Sequence, residues 1–245
     1  MHSRMLLATA RRVAQQLLHD HRTLGLLFVV PCALLGLLAW LYSDVPGMFD
    51  RLGAPLLGIF PFVVMFLTTS ITTLRERSSG TLERLLVLPI GKFDIIGGYA
   101  LTFGIVGMIQ ALIASMLAVH VYGLHVAGPE WLLVVVAVAD ALLGMALGLF
   151  VSAFARTEFQ AVQFLPVCIL PQFLLCGLLV PVADLPTALH GIAQFLPLTY
   201  AVEAMRSITI QVQPDAETYR NIAVVAAFVL ASVALGAVTL RRRTK

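Results

Sequence analysis

The feature that most constrains this chain is a series of long apolar stretches joined by short polar gaps. They lie near residues 23–42, 52–74, 94–121, 131–154, 159–180 and 221–240. A run of roughly 18 or more apolar residues is long enough to cross the hydrocarbon of a bilayer. Backbone inside lipid must satisfy its own hydrogen bonds, so each run is expected to be a helix. Composition enters only as a check on the alternative, a large soluble core. The chain is 60% hydrophobic and 12% charged, whereas a soluble domain carries about a quarter charged residues to cover its core. The sequence therefore predicts an all-α polytopic membrane protein, one domain over residues 1–245, with six spans.

Two segments depart from the spanning pattern. In residues 4–19, Leu6, Leu7, Ala10, Val13, Ala14, Leu17 and Leu18 recur at helical spacing, opposite Arg4, Arg11, Arg12, Gln15, Gln16 and His19. That is an amphipathic helix too polar to span, and residues 1–22 are expected to lie in the membrane interface. Pro181, Pro186 and Pro197 divide residues 181–210 into pieces too short to cross. Residues 181–220 are expected to form an outward re-entrant segment, which needs protein or water to satisfy its backbone.

The cations fix an expected orientation. Residues 1–22, 75–92, 155–160 and 241–245 carry thirteen: Arg4, Arg11, Arg12, Arg22, Arg75, Arg77, Arg84, Lys92, Arg156, Arg241, Arg242, Arg243 and Lys245. The other side carries three: Arg51, Arg206 and Arg220. By such a bias both termini of the multi-pass protein are expected in the cytoplasm, and the membrane is expected to be a bacterial cell membrane. The bias also explains the net charge of +3 without nucleic acid, since the cations sit in gaps rather than on one face beside stacking aromatics. Cys32, Cys168 and Cys176 all lie in apolar runs and read as packing residues, not a disulfide framework. The first long run has full span length behind a basic segment, so it reads as a span rather than a cleaved leader.

No enzyme constellation is legible. The chain has no Gly-x-Ser-x-Gly or His-Glu-x-x-His. His19 and His21 stand two apart and would point to different faces of a helix, so no metal site is expected there. Gly91-Lys92 has Leu86 where a phosphate loop needs glycine, and Phe93 follows the lysine. If ATP drives this protein, another polypeptide binds it.

The stretch Arg75 to Gly91, RERSSGTLERLLVLPIG, holds a short amphipathic helix over 81–88. Leu82, Leu85 and Leu86 share one face, with Glu83 and Arg84 elsewhere. Such a ridge suits docking in a groove of a soluble partner, or resting on lipid. The stretch resembles the cytoplasmic motif of type-2 ATP-binding-cassette exporter permeases. In those, an arginine- and glutamate-rich turn precedes Gly-Thr-x-Glu, a leucine pair and Pro-Ile; here these are Arg75, Glu76, Arg77, Gly80, Thr81, Glu83, Leu85, Leu86, Pro89 and Ile90. Residues 176–206 also look like the family's outward segment, with Leu196, Pro197, Thr199 and Tyr200 on its signature. The match looks nearest to the drug, antibiotic and nodulation-factor branch.

The resemblance implies a transport subunit rather than an enzyme. Two permeases, identical or siblings, would pack side by side, each on an ATPase subunit that holds ATP and Mg. Arg75, Glu76, Arg77, Gly80, Thr81, Leu82, Glu83, Leu85, Leu86 and Pro89 would form the coupling surface. Pro181, Pro197, Tyr200, Glu203 and Arg206 are candidates for an outer gate, Glu203 and Arg206 being spaced to pair on one helix face. Phe60, Phe66, Phe164 and Phe173 either line a path for an apolar substrate or simply pack. Asp140, a carboxyl within a span, either lines a pathway or hydrogen-bonds a neighbouring helix, and Gly144 and Gly148 continue its face as a close-packing motif. The cargo is expected to be amphipathic or hydrophobic. An ATP-independent carrier or channel, or an exporter of polysaccharide or lipid-linked glycan, would share the layout.

Overall fold

A computed structural model of the chain describes residues 2–78 and 92–239. Every regular element among the described residues is helical. The helices are α1 (His2–His19), α2 (His21–Leu41), α3 (Met48–Ser78) and α4 (Lys92–Met116), the last continued by a π turn at Leu117–Val121. Then come α5 (Glu130–Ser152), α6 (Glu158–Leu175), a 3₁₀ turn (Val182–Asp184), α7 (Thr187–Ala193), α8 (Pro197–Ile210) and α9 (Ala216–Thr239). Six of them, α2 to α6 and α9, are long and apolar enough to cross a membrane.

Local chemistry sets where these helices begin and bend. Asp20 caps α2: its carboxylate accepts from the Thr23 amide at 3.1 Å and the Thr23 hydroxyl at 2.6 Å. His19 and His21 consequently end one helix and start the next. Pro31 inside α2 has no N–H for the carbonyl four residues back, at Leu27. The buried Gln110 of α4 supplies the missing donor, its Nε2 lying 2.6 Å from the Leu27 oxygen. At the π turn the Tyr122 amide bonds the Leu117 carbonyl five residues earlier. The Tyr122 ring lies over Gly36, and its hydroxyl donates to the Cys32 carbonyl at 3.1 Å.

α3 and α5 form the centre, 67% of the most apolar stretch of each being buried, against 17% in α2 and α6. They run in the same direction and in register. Asp140 abuts Gly58, Gly144 abuts the Phe62 carbonyl, and Gly148 abuts the Phe66 carbonyl. The step is four residues on both helices, so ridges along the i, i+4 row meet. The exposed residues of α2, α6 and α9, among them Leu26, Leu37, Val167, Leu170, Leu230 and Val238, form an apolar exterior that lipid solvates.

Three expected boundaries shift. α3 continues helically through the polar run to Ser78 and α4 begins at Lys92, so both ends of the expected loop 75–92 are helical. α6 ends at Leu175 rather than near residue 180, because Gly177 turns the chain with φ +90° and Pro181 follows. The segment expected to face outward ends at Asp215 rather than near 220, since α9 starts at Ala216: Asp215 caps it by accepting from the Thr218 amide and hydroxyl, both at 2.8 Å. α1 also does more than rest on lipid. Thr9, Ala10, Val13 and Leu17 are buried, Thr9 against Gly98 of α4, and the Thr102 hydroxyl donates to the Ala10 carbonyl at 2.9 Å. Leu7 and Leu18 keep the exposed apolar edge.

Candidate functional site

Three consecutive residues at the end of α3 organise the cation-rich end of the bundle. Successive residues point about 100° apart around a helix, so Arg75, Glu76 and Arg77 reach three different neighbours. Arg75 makes a forked ion pair with Glu158 of α6, with Nε to Oε1 at 2.7 Å and Nη2 to Oε2 at 3.0 Å. Glu76, buried, accepts from Arg12 of α1 at 2.7 Å and from the Tyr99 hydroxyl of α4. Arg12 also donates to the Tyr99 oxygen at 3.1 Å. Arg77 donates to the Ser152 carbonyl, one of the last-turn carbonyls of α5 that lack a helical partner and attract a cation. Four helices are thus tied to the final turn of α3, immediately before residues 79–91.

The sequence assigned Arg75, Glu76 and Arg77 to a coupling surface; the structure turns all three toward helices of their own chain. Gly80, Thr81, Leu82, Glu83, Leu85, Leu86 and Pro89 lie outside the described residues. Arg12 and Tyr99 were missed by sequence reasoning. Arg12 looked like one more cation of the wet face of α1, and only the packing of α1 on α4 turns it inward. Gln110 had a signal, a lone amide in an apolar run paired with a proline in another span.

Deeper in the bundle, Asp140 is fully buried and neither carboxyl oxygen has a hydrogen-bond partner. Its Oδ2 packs where a side chain on Gly58 would stand, beside Met205 of α8. Phe66 is fully buried, while Phe60, Phe164 and Phe173 are half-buried around the core. A cavity of about 320 Å³ lies between α2 and α3 in the half nearest the cation-rich end. Leu26, Val30, Leu67 and Ile71 form its apolar wall, Thr23, Thr68 and Thr72 offer hydroxyls, and Arg75 closes one end. None of the four phenylalanines nor Asp140 lines it.

At the opposite end the gate candidates separate into two groups. Pro197 is buried and opens α8, where its missing N–H is harmless. The Tyr200 hydroxyl donates to the Gln194 carbonyl at 2.7 Å, holding α7 to α8. Pro181, Glu203 and Arg206 line a cavity of about 290 Å³ with Cys176 and Gly177. Glu203 and Arg206 do not form the expected ion pair; Arg206 Nη1 donates instead to the Gly177 carbonyl at 2.7 Å. The left-handed turn at Gly177 offers that carbonyl. Burial, and then the nearby Arg51, hold the Arg206 guanidinium below its ordinary range. Burial, and then Glu217, push the Glu203 carboxyl up, and burial pushes the Cys176 thiol up to about 11. Among the described residues no group of three or more His, Cys, Asp or Glu is placed to hold a metal.

Six helices long and apolar enough to span, an amphipathic helix tied to the last turn of α3, and cavities at both ends define a polytopic membrane protein. The chain belongs to the ABC-2 type transporter family, which it matches over residues 5–210. Over 153 residues it is 29% identical to the probable multidrug ABC transporter permease YbhR of Escherichia coli, a stretch covering 62% of this chain and 42% of that protein. It is 28% identical to the linearmycin resistance permease protein LnrN of Bacillus subtilis, over 56% of this chain and 35% of that one. It is 27% identical to ABC transporter G family member 20 of Dictyostelium discoideum, over 66% of this chain and 22% of the relative. The matched stretch spans less than half the length of each of these relatives.

Proposed function

We propose that this chain is the membrane-spanning subunit of an ATP-driven exporter, coupled through residues 75–92 to a separate ATPase that holds ATP and Mg. The observation that carries this reading is the Arg75–Glu76–Arg77 clamp. A force applied at residues 79–91 by a partner would enter α3 at its last turn and reach α1, α4, α5 and α6 through side chains already bonded to that turn. A contiguous element touching both partner and spans is what coupling requires. The cation-rich end faces the cytoplasm in this reading, by the thirteen-to-three distribution of Arg and Lys. A second permease, identical or sibling, completes the pathway.

The cargo is amphipathic or hydrophobic, of the drug, antibiotic or lipid-like kind. The cavity between α2 and α3 supports this, since it joins apolar walls to three threonine hydroxyls and an arginine and carries the exposed Leu26 at its rim. The multidrug and linearmycin resistance names of the relatives point the same way. The substrate would enter from the membrane and leave past α7 and α8.

The test is purification from the native membrane. A P-loop ATPase is expected to copurify with the chain, and Leu85→Glu or Leu86→Glu to abolish that association while the permease still inserts. Candidate cargo is expected to stimulate the complex's ATP hydrolysis. An inserted wild-type chain with no ATPase attached would leave the membrane fold standing and end the exporter reading.

A further inference from the structure

Arginine is sparse at the opposite end, yet two of its three arginines line one cavity. Arg51, in the first turn of α3, and Arg206, on α8, line one cavity of about 440 Å³ with Gly47, Asp50, Thr209 and Ile210. Arg206 also lines the neighbouring 290 Å³ cavity, where Glu203 stands. Arg206 has one hydrogen bond, to the Gly177 carbonyl. Arg51 is exposed, and its guanidinium makes no hydrogen bond among the described residues, its amide alone donating, to the Gly47 carbonyl at 3.1 Å. Two like charges converging on a partly apolar cavity repel each other, and an anion between them converts that repulsion into charge-assisted hydrogen bonds.

The carboxylates narrow the ligand further. Asp50 lines the cavity, and its Oδ1 accepts from the His125 amide at 2.8 Å. With Glu203 on the wall of the second cavity, the two cavities, which share Arg206, present two cations and two carboxylates. A purely anionic ligand would face both carboxylates unpaired; one that also carries an ammonium would pair with them.

The level of the site names the source. Arg51 follows the turn that leaves α2, whose last turn holds Trp40, 78% exposed; Trp131 begins α5 at the same end. Exposed tryptophans mark the head-group layer. Ile210 on the cavity wall and Val212, two residues on, are 78% and 75% exposed, apolar surface suited to acyl chains.

We propose that the Arg51–Arg206 cavity binds the head group of a zwitterionic aminophospholipid, its phosphate between the two arginines and its ammonium toward Asp50 and Glu203. This assignment uses the membrane fold and not the ATPase reading, and its test involves no nucleotide.

The purified full chain is equilibrated in detergent with equal amounts of phosphatidylethanolamine, phosphatidylglycerol and phosphatidylcholine of identical acyl chains. Retained lipid is then counted by mass spectrometry. Phosphatidylethanolamine is expected to be enriched about tenfold, the size of one charge-assisted hydrogen bond. Arg51→Gln and Arg206→Gln should each bring the ratio toward unity, and Arg4→Gln at the other end should leave it unchanged. Arg206→Gln also loses the Gly177 contact, so Arg51→Gln, which breaks no internal bond, decides the matter. Equal retention of the three lipids, preference for phosphatidylglycerol, or an unaltered ratio in Arg51→Gln overturns the assignment. Soluble phosphoethanolamine should displace the lipid only weakly; displacement at lipid-like concentrations would replace a lipid ligand with a free one and also overturn it.

Discussion

Asp140 and Gly58 form a contact that neither residue explains alone. Asp140 Oδ2 occupies the space a Cβ on Gly58 would need, and no hydrogen bond anchors the carboxyl. Gly58→Ala is therefore expected to destabilise the chain by about 1–3 kcal/mol through overpacking. Asp140→Ala should relieve much of that cost in the double variant, because the colliding atoms are gone. Thermal unfolding of the four proteins of this cycle in detergent measures the coupling; additive effects would show that the two residues do not share the space. A second residue-scale expectation concerns pH. The Thr23 hydroxyl, and then the Thr23 amide, hold the Asp20 carboxyl below the ordinary carboxylate range. The folded value lies below the unfolded one, so this cap contributes fully above the unfolded pKa and is lost as pH falls through the lowered folded value. Acidification below about pH 4 should speed amide exchange in the first turn of α2 beyond the intrinsic trend. Asp20→Asn, which cannot titrate, should show no such excess.

At the scale of elements, the α3–α5 register is the joint on which the bundle rests. A Cβ at Gly144 would meet the Phe62 carbonyl, and one at Gly148 the Phe66 carbonyl, backbone atoms that cannot rotate away. Gly144→Ala is expected to cost about 1–3 kcal/mol or to force the helices apart. Gly25→Ala on α2, with nothing within 4 Å of the added carbon, should be silent or slightly stabilising through helix propensity. Melting temperatures of the two variants separate packing from propensity; equal effects would remove the glycine register from the account. α2 is attached differently. It carries Pro31 and is pinned by Gln110 at the Leu27 carbonyl, and it buries Leu27, Pro31, Cys32 and Leu35 against the centre.

For the whole molecule, the clamp at the end of α3 decides whether α1 moves with the spans. Arg12→Ala removes one cation from the buried Glu76 and keeps its Tyr99 contact. The expected loss is about 1–3 kcal/mol, below the range for a fully buried pair because Arg12 is 29% exposed. Hydrogen exchange should rise across α1 while α5 stays protected. The forked Arg75–Glu158 pair is half exposed on both sides, and its removal should change stability by about 1 kcal/mol or less. Uniform loosening of α1 and α5 in Arg12→Ala would mean that the clamp supports the whole fold instead of fastening one helix.

The sequence alone determined the elements: six apolar runs became six spanning helices, the amphipathic stripe of residues 4–19 became α1, and the prolines after residue 180 marked a region of short helices. These are properties of each segment in its solvent, and hydropathy and spacing record them directly. Asp140 and its two glycines were legible as one face of a helix for the same reason. What that face meets was decided only by tertiary structure, as were the inward turn of Arg12, the redirection of Arg206 from Glu203 to Gly177, and the placing of Arg51 and Arg206 on one cavity. Hydrocarbon does not drive one apolar helix onto another, so partners are chosen by close packing and a few polar contacts between residues far apart in the chain. A single sequence carries no period or motif for such choices.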